Sequence, residues 1–311
     1  MANPTNFRGN FYVTGCDSGF GRGLVELLYA EGYRVFAGCL QEGSVRELDL
    51  SFKCGDSMKR SERNNGVVVP FLLDVTKPDA VEAAAEKIAT MTSSLDGLVN
   101  NAGLLRITIP ELSVPSAFRE VIETNVIGTH MVTESVMKLL RAGNGRIVNV
   151  TSVTGFLAPP GAYAASKHAL EGYSDGIRQI LSPLGISVHI VEPGIFPSTG
   201  LFTKMDLQAV DQLSEEVRLA YGEDYINYIR AAIRLILQNP RTGNSRITGV
   251  LEALMDALTG TNPRLISFKV PVSRRLGLQG GLFSTHAPRV CLGCGAKVYD
   301  LLEQWYKASA T

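Results

Sequence analysis

The sequence predicts an α/β protein built on a doubly wound parallel sheet, and two observations lead there. Short runs rich in Val, Ile and aromatic residues alternate with longer amphipathic stretches at helical spacing. Helix-length segments separate successive strand-like runs, as βαβ units with right-handed crossovers require, so the sheet is parallel and covered on both faces.

Residues 10–14 (NFYVT) and 33–38 (YRVFAG) read as strands, with a helix over 21–31 (GRGLVELLYAE) between them. The polar stretch 51–65 (SFKCGDSMKRSERNN) reads as a solvated surface excursion. Strand-like runs resume at 67–73, 95–99, 145–151 and 186–191, and helical patterns fill 78–92, 115–141 and 163–181, the last ending at Pro183 and the turn PLG. Beyond Pro193-Gly194, residues 206–237 read as two helices joined through AYGEDY and 248–259 as another. The tail from about residue 265 mixes Gly, Pro and basic residues before a final amphipathic helix at 294–307. With no internal repeat and no linker, one domain spans 1–311, its core over about 8–260 and an extension over about 265–311.

Composition narrows the function. The chain has 311 residues, 45% hydrophobic and 19% charged, with 30 basic and 30 acidic side chains, which leaves no long-range pull toward nucleic acid or an anionic membrane. No apolar run approaches the roughly 18–20 residues that span a bilayer, and MANPTNFRGN resembles neither a secretory signal nor a mitochondrial leader. Five scattered cysteines (16, 39, 54, 291 and 294) suit a reducing, cytoplasmic compartment, and Cys291-Leu-Gly-Cys294 has no second pair to complete a zinc site. His130, His168, His189 and His286 are too dispersed for a metal site, so no metal is expected.

Thr14-Gly15-Cys16-Asp17-Ser18-Gly19-Phe20-Gly21 lies between the first strand and its helix. Glycines there let backbone approach a pyrophosphate at a helix N-terminus, although a simple helix-entry turn would look the same. Asp74-Val75 and Asn100-Asn101-Ala102-Gly103 follow later strands, at the same rim of the sheet, the first where an adenine ring could lie and the second with small residues that leave room for backbone to pack on a cofactor. Ser152 ends the strand RIVNVTS, and Tyr163 opens a helix with Lys167 four positions on, so phenol and ammonium share a helix face. A fixed Lys charge, together with the positive charge of an oxidised nicotinamide, would favour phenolate and lower the Tyr163 pKa, making it a proton donor and acceptor beside Ser152. Each of these residues taken alone also fits a structural role: a Tyr-x-x-x-Lys pair on an ordinary helix, and Ser as a cap.

Together, Thr14-Gly15…Gly19-Phe20-Gly21, Asp74, Asn100-Asn101-Ala102-Gly103, Asn125, Ser152, Tyr163, Lys167 and Pro193-Gly194 resemble the short-chain dehydrogenase/reductase family over roughly residues 8–260. The resemblance implies a Rossmann-type fold and a catalytic tetrad of Asn125, Ser152, Tyr163 and Lys167, with Asn125 at a helix kink and a proton relay through Lys167. It also implies that Thr199 contacts a nicotinamide carboxamide, that about 196–235 forms a substrate lid, and that helices 115–141 and 163–181 build a homodimer or homotetramer. The details TGCDSGFG and VFAGCL are similar to the branch of retinol, hydroxysteroid and 3-hydroxybutyrate dehydrogenases. Many members of that branch begin with a membrane-anchoring helix, which is not expected here.

Cofactor contacts are therefore expected from Thr14, Gly15, Asp17, Ser18, Gly19, Phe20, Gly21, Cys39, Asp74, Val75, Asn101, Ala102, Gly103, Tyr163, Lys167, Pro193, Gly194 and Thr199. No basic residue stands in the first turn or just after the second strand, where relatives meet the 2′-phosphate of NADP, so NAD is the expected cofactor. Cys39 falls where the family's NAD-selecting Asp would stand. The segment VTGFLAPPGA lines the pocket in the family and holds no cation, so Ser152, Thr154, Phe156, Leu157 and Tyr163 are expected to meet a lipophilic secondary alcohol or ketone, steroid- or retinoid-like. Arg106 or a lid residue could instead clamp a short hydroxy acid of the 3-hydroxybutyrate type. From another class, the fold could be a catalytically silent nucleotide-binding scaffold, against which the intact tetrad weighs.

Overall fold

The structure, a computed structural model, describes residues 7–53, 66–106, 108, 111, 113–157, 161–194, 196, 199–203, 213–238 and 247–269. Seven parallel strands run in the order β3-β2-β1-β4-β5-β6-β7: β1 Asn10–Thr14, β2 Arg34–Cys39, β3 Val67–Leu72, β4 Gly97–Asn100, β5 Arg146–Val150, β6 Ser187–Pro193 and β7 Ile266–Lys269. Register is set pair by pair, with Val13 opposite both Ala37 and Val99, and Val148 opposite His189. Alternation along each strand feeds two cores. Phe11, Val13, Val35 and Val148 face one side, and Tyr12, Phe36, Leu98 and Ile147 the other.

On the first face lie α1 Gly19–Ala30, through Leu24 and Leu28, and α12 Thr248–Thr259, through Val250, Leu254 and Leu258. On the second lie α3 Pro78–Met91, α5 Gly128–Ser135, α6 Met137–Gly143 and α8 Ala162–Leu181, through Ile88, Val132, Leu140 and Leu181. Burying each of these aliphatic side chains contributes about 1.5–3 kcal/mol, which fixes the helices on the sheet before any polar site forms. Two elements escaped the sequence reading. Helix α2 Glu42–Lys53 covers a stretch given no element and runs three residues into the polar excursion expected at 51–65, its Val45, Leu48 and Phe52 turned to the core. Residues 266–269, read as the start of a tail, extend the sheet as β7 beside β6.

The stretch expected as one helix over 115–141 is interrupted twice. Helix α4 Ala117–Ile122 passes into a π-helical turn, Glu123–Ile127, before α5, and Val136 (φ −107°, ψ 9°) breaks α5 from α6. Three further helices are α9 Gly200–Thr203, α10 Glu215–Tyr221 and α11 Glu223–Gln238, the last two matching the expected pair around AYGEDY. The polar stretch 54–65, lid residues 197–198 and 204–212, and the tail with Cys291, Cys294 and the helix expected at 294–307 lie outside the described residues. Among the described residues no helix is long and apolar enough to cross a membrane.

Candidate active site

Strand order reverses between β1 and β4, and loops from the carboxyl ends of both diverge there to leave a crevice. A cavity of about 1210 Å³ fills it, lined at one end by Gly15, Asp17, Ser18, Gly19, Phe20, Leu40, Gln41 and Ser44, and at the other by Ser152, Thr154, Tyr163 and Lys167. Asp74, Val75, Asn101, Ala102, Gly103, Pro193, Gly194 and Thr199 line it between.

The first turn is shaped by close approach. Gly15 and Gly19 hold φ of +68° and +60°, where side chains with a Cβ are disfavoured. Gly21 needs no such angle, yet a Cβ on it would lie 2.3 Å from the Gly15 carbonyl oxygen. Asn101 Nδ2 donates to the Thr14 and Gly15 carbonyls at 2.9 and 3.0 Å, while Thr14 Oγ1 accepts from Asn101 N at 3.1 Å and Ala102 N at 3.0 Å. Thr14 and Gly21 do not line the cavity; they hold its floor. Ser18, at the N-cap of α1, makes no side-chain cap bond, and no acidic residue stands in the first turn. The glycine cradle and an uncapped helix N-terminus fit the diphosphate of a dinucleotide.

At the far corner Asp17 receives Leu40 N and Gln41 N, each at 2.9 Å, so its carboxylate ties the first turn to the β2–α2 turn. Cys39 does not line the cavity. Its side chain is fully buried in the core, because the strand's alternation turns it inward, and Leu40, Gln41 and Ser44 form the wall instead. Asp74 folds back on Thr76, accepting its N at 2.9 Å and Oγ1 at 2.7 Å.

At the reactive end Ser152 Oγ accepts from Thr154 N at 3.2 Å and lies 3.5 Å from the Pro193 carbonyl, while Tyr163 hydrogen-bonds Ser152. Lys167, 4% exposed, donates to the Val150 carbonyl at 2.8 Å, with its Nζ 5.6 Å from the centre of the Tyr163 ring. The expected lowering of the phenol by Lys167 is not what the chain alone produces. Burial pushes Tyr163 up to about 12, against which the bond to Ser152 pulls down, and burial pushes Lys167 down to about 8. Desolvation disfavours both charged forms, and the ammonium bonds to backbone rather than to the phenol.

A pH dependence follows. Were Tyr163 the acid–base group of an alcohol oxidation, the reaction would need the phenolate, which a raised pKa makes scarce at neutral pH, so kcat/KM for oxidation should climb by up to about tenfold per pH unit between about pH 6 and 9. Reduction would then use the protonated phenol and should show no such rise. Parallel profiles in both directions check this, and a flat oxidation profile would contradict it.

Asn125, fully buried in the π-helical turn, does not line the cavity. Its Oδ1 accepts from Leu104 N at 2.7 Å, and its Nδ2 donates to Leu104 O at 3.0 Å and Ser166 Oγ at 2.9 Å. It thereby joins the loop after β4 to α8. A second buried chain was missed: Asn100 Nδ2 donates to Asn149 Oδ1 (2.9 Å) and Thr133 Oγ1 (3.0 Å), and Asn149 Nδ2 to Ser174 Oγ (2.8 Å). The asparagine inside the apolar run RIVNV was the legible signal, since a buried amide must find partners.

On the substrate side, helix α7 Val153–Leu157 carries Thr154 on the cavity wall, while the side chains of Phe156 and Leu157 lie outside the described residues. Leu104, Leu105, Phe196 and Leu201 add apolar surface. Cations also reach this wall, which the segment after Ser152 alone did not suggest. Arg106 lines it beside Glu120, Nε to Oε2 3.5 Å, and Arg119 lines it too. Thr199 Oγ1 donates to Phe196 O at 2.9 Å. Of the described histidines, His189 bonds Arg264 O and Ser187 Oγ, and His130 meets Tyr173 and Glu134.

Residues 10–209 match the short chain dehydrogenase family. Rat mitochondrial D-beta-hydroxybutyrate dehydrogenase is 36% identical over 263 residues, covering 81% of this chain and 74% of the relative. Human retinol dehydrogenase 16 is 37% identical over 261 residues, covering 81% and 78%. Among solved structures, a short-chain dehydrogenase from Streptomyces avermitilis aligns with a TM-score of 0.67 at 24% identity, over 100% of this chain and 99% of that one. With a matched segment longer than half its length, the chain belongs to the short-chain dehydrogenase/reductase family.

Proposed function

We propose that the protein transfers a hydride between NAD(H) and a lipophilic alcohol or its carbonyl partner, steroid- or retinoid-like in character. The observation that carries this reading is the pairing of Ser152 with Tyr163 on one cavity wall, beside Leu104, Leu105, Phe196 and Leu201. Bound in the glycine-lined end, the dinucleotide supplies the hydride donor or acceptor. Ser152 holds the substrate oxygen by a hydrogen bond, and Tyr163 gives it a proton in reduction or takes one in oxidation. Lys167 holds its Nζ 5.6 Å from the centre of the phenol ring, and Asn125 keeps the loop after β4 against α8.

The preference for NAD rests on the corner formed by Asp17, Leu40, Gln41 and Ser44, which among these described residues offers a 2′-phosphate a carboxylate and no cation. A second reading, a short hydroxy acid, is favoured by Arg106 and Arg119 on the outer wall and by the name of the rat relative. In assembly we read a homodimer or homotetramer through the α4–α6 and α8 helices, which leave Ile127 and Ile180 exposed. In location we read the cytoplasm, which keeps the buried Cys16 and Cys39 as thiols.

The test is a screen of hydroxysteroids, retinol and 3-hydroxybutyrate, followed by NADH absorbance and repeated with NADP. Lipophilic alcohols should be oxidised, with kcat/KM about tenfold or more lower on NADP, about 1.4 kcal/mol of transition-state binding. Turnover of 3-hydroxybutyrate alone would select the second reading, and equal use of NADP would overturn the cofactor assignment.

A further inference from the structure

Helix α8, which carries Tyr163 and Lys167, begins without a cap of its own. The residue before it is Gly161, with φ +120° and no side chain to offer the first amides. Helix starts leave several N–H groups without partners, and a buried one must find an acceptor. Here Ala162, fully buried and adjacent to Tyr163, donates its N–H to Thr108 Oγ1. Thr108 belongs to the loop after β4, 54 residues away in sequence, is 8% exposed, and lines the same cavity as Tyr163. Its Oγ1 lies 2.8 Å from the point a Cβ on Gly161 would occupy. The hydroxyl thus fills the space of the missing capping side chain, and a larger residue at Gly161 would expel it.

The same loop is fastened at its other end. Leu104 is held through both its N–H and its carbonyl by Asn125, whose amide also reaches Ser166 on α8. Leu104 is therefore tied to Asn125 and Thr108 to the first turn of α8, and Leu104, Leu105, Arg106 and Thr108 all face the cavity. We propose that Thr108 is a positioning residue for Tyr163: a helix cap supplied by the substrate-side loop, which sets the phenol against Ser152. The seat of the phenol then depends on where that loop lies, so a substrate settling on the loop bears on proton transfer as well as on binding. This inference rests on Tyr163 as the acid–base group.

The test compares Thr108→Val, which keeps the shape and removes the acceptor, with Thr108→Ser, which keeps the hydroxyl, in the full chain. Thr108→Val should lower kcat by roughly tenfold and move the rising limb of the oxidation pH profile upward as the phenol loses Ser152. Its NADH affinity, followed by fluorescence, should stay close to the parent's, its melting temperature should fall only by the few degrees a lost helix cap costs, and Thr108→Ser should restore most of kcat. Unchanged kcat in Thr108→Val would overturn the proposal. So would a Thr108→Ser variant as slow as Thr108→Val, or a fall in kcat matched by equal losses of NADH affinity and melting temperature. Tyr163→Phe serves as the control. Should that variant turn over normally, the assignment of Tyr163 fails and the cap has nothing to position; should it be inactive while Thr108→Val is fully active, only the cap fails.

Discussion

Replacing Tyr163 by Phe should reduce turnover by roughly 10²–10⁴-fold while leaving the fold and NADH binding intact, because a general acid–base group contributes on that scale. The phenol ring is retained, so the packing of α8 against α4 and α7 is not disturbed; only the hydroxyl that meets Ser152 is lost. Loss should fall on kcat and kcat/KM together, since the proton moves in the transition state. Circular dichroism and NADH fluorescence establish that the variant is folded and loaded. Turnover at the parent rate would show that Tyr163 is not the acid–base group and that the proton moves through another residue.

Substituting Gly21 by Ala should be the most damaging one-carbon change in the molecule's cofactor end. The added Cβ would stand 2.3 Å from the Gly15 carbonyl oxygen, which is backbone, and 2.6 Å from Asn101 Nδ2, a side-chain end held by two hydrogen bonds. Helix α1 and the first turn would have to separate, and the hydrogen bonds of Asn101 to Thr14 and Gly15 would open with them. Overpacking of this kind costs about 1–3 kcal/mol, and each 1.4 kcal/mol of it that reaches the cofactor site weakens binding about tenfold. NADH titration and thermal melting read the two shares. An unchanged NADH affinity at unchanged melting temperature would show that the turn does not need this contact. Gly172 offers the contrast, since a Cβ there meets nothing within 4 Å.

Much of the site was legible because its residues occupy the carboxyl ends of parallel strands, positions that follow once the βαβ rhythm is recognised. Gly15, Gly19, Asp74, Asn101, Ser152, Tyr163 and Lys167 could be placed on one rim from periodicity and spacing, and all of them line the cavity. Legibility failed where a side chain's role depends on something far away in sequence. Asp17 carries a charge that can be read, but its clamp on Leu40 and Gln41 needs the β1–β2 pairing to be seen. Thr108 has no local signature at all, because its partner is a helix start 54 residues on.

Electrostatics divided in the same way. Spacing alone puts Lys167 one turn from Tyr163 and invites a lowered phenol, whereas the folded chain buries both groups and desolvation drives their pKa values the opposite way. Helix α2 and strand β7 likewise escaped the sequence reading, and tertiary contacts complete them: Leu48 inserts into the core, and Ile266 registers against Ile190. The sequence by itself determined the parallel α/β architecture, the rim on which the chemistry sits and the residue types present there, because those follow from period and order along the chain. Only the tertiary structure decided which groups touch, which are desolvated and which loop meets the start of α8, because hydrogen bonds and burial are set by distance in space.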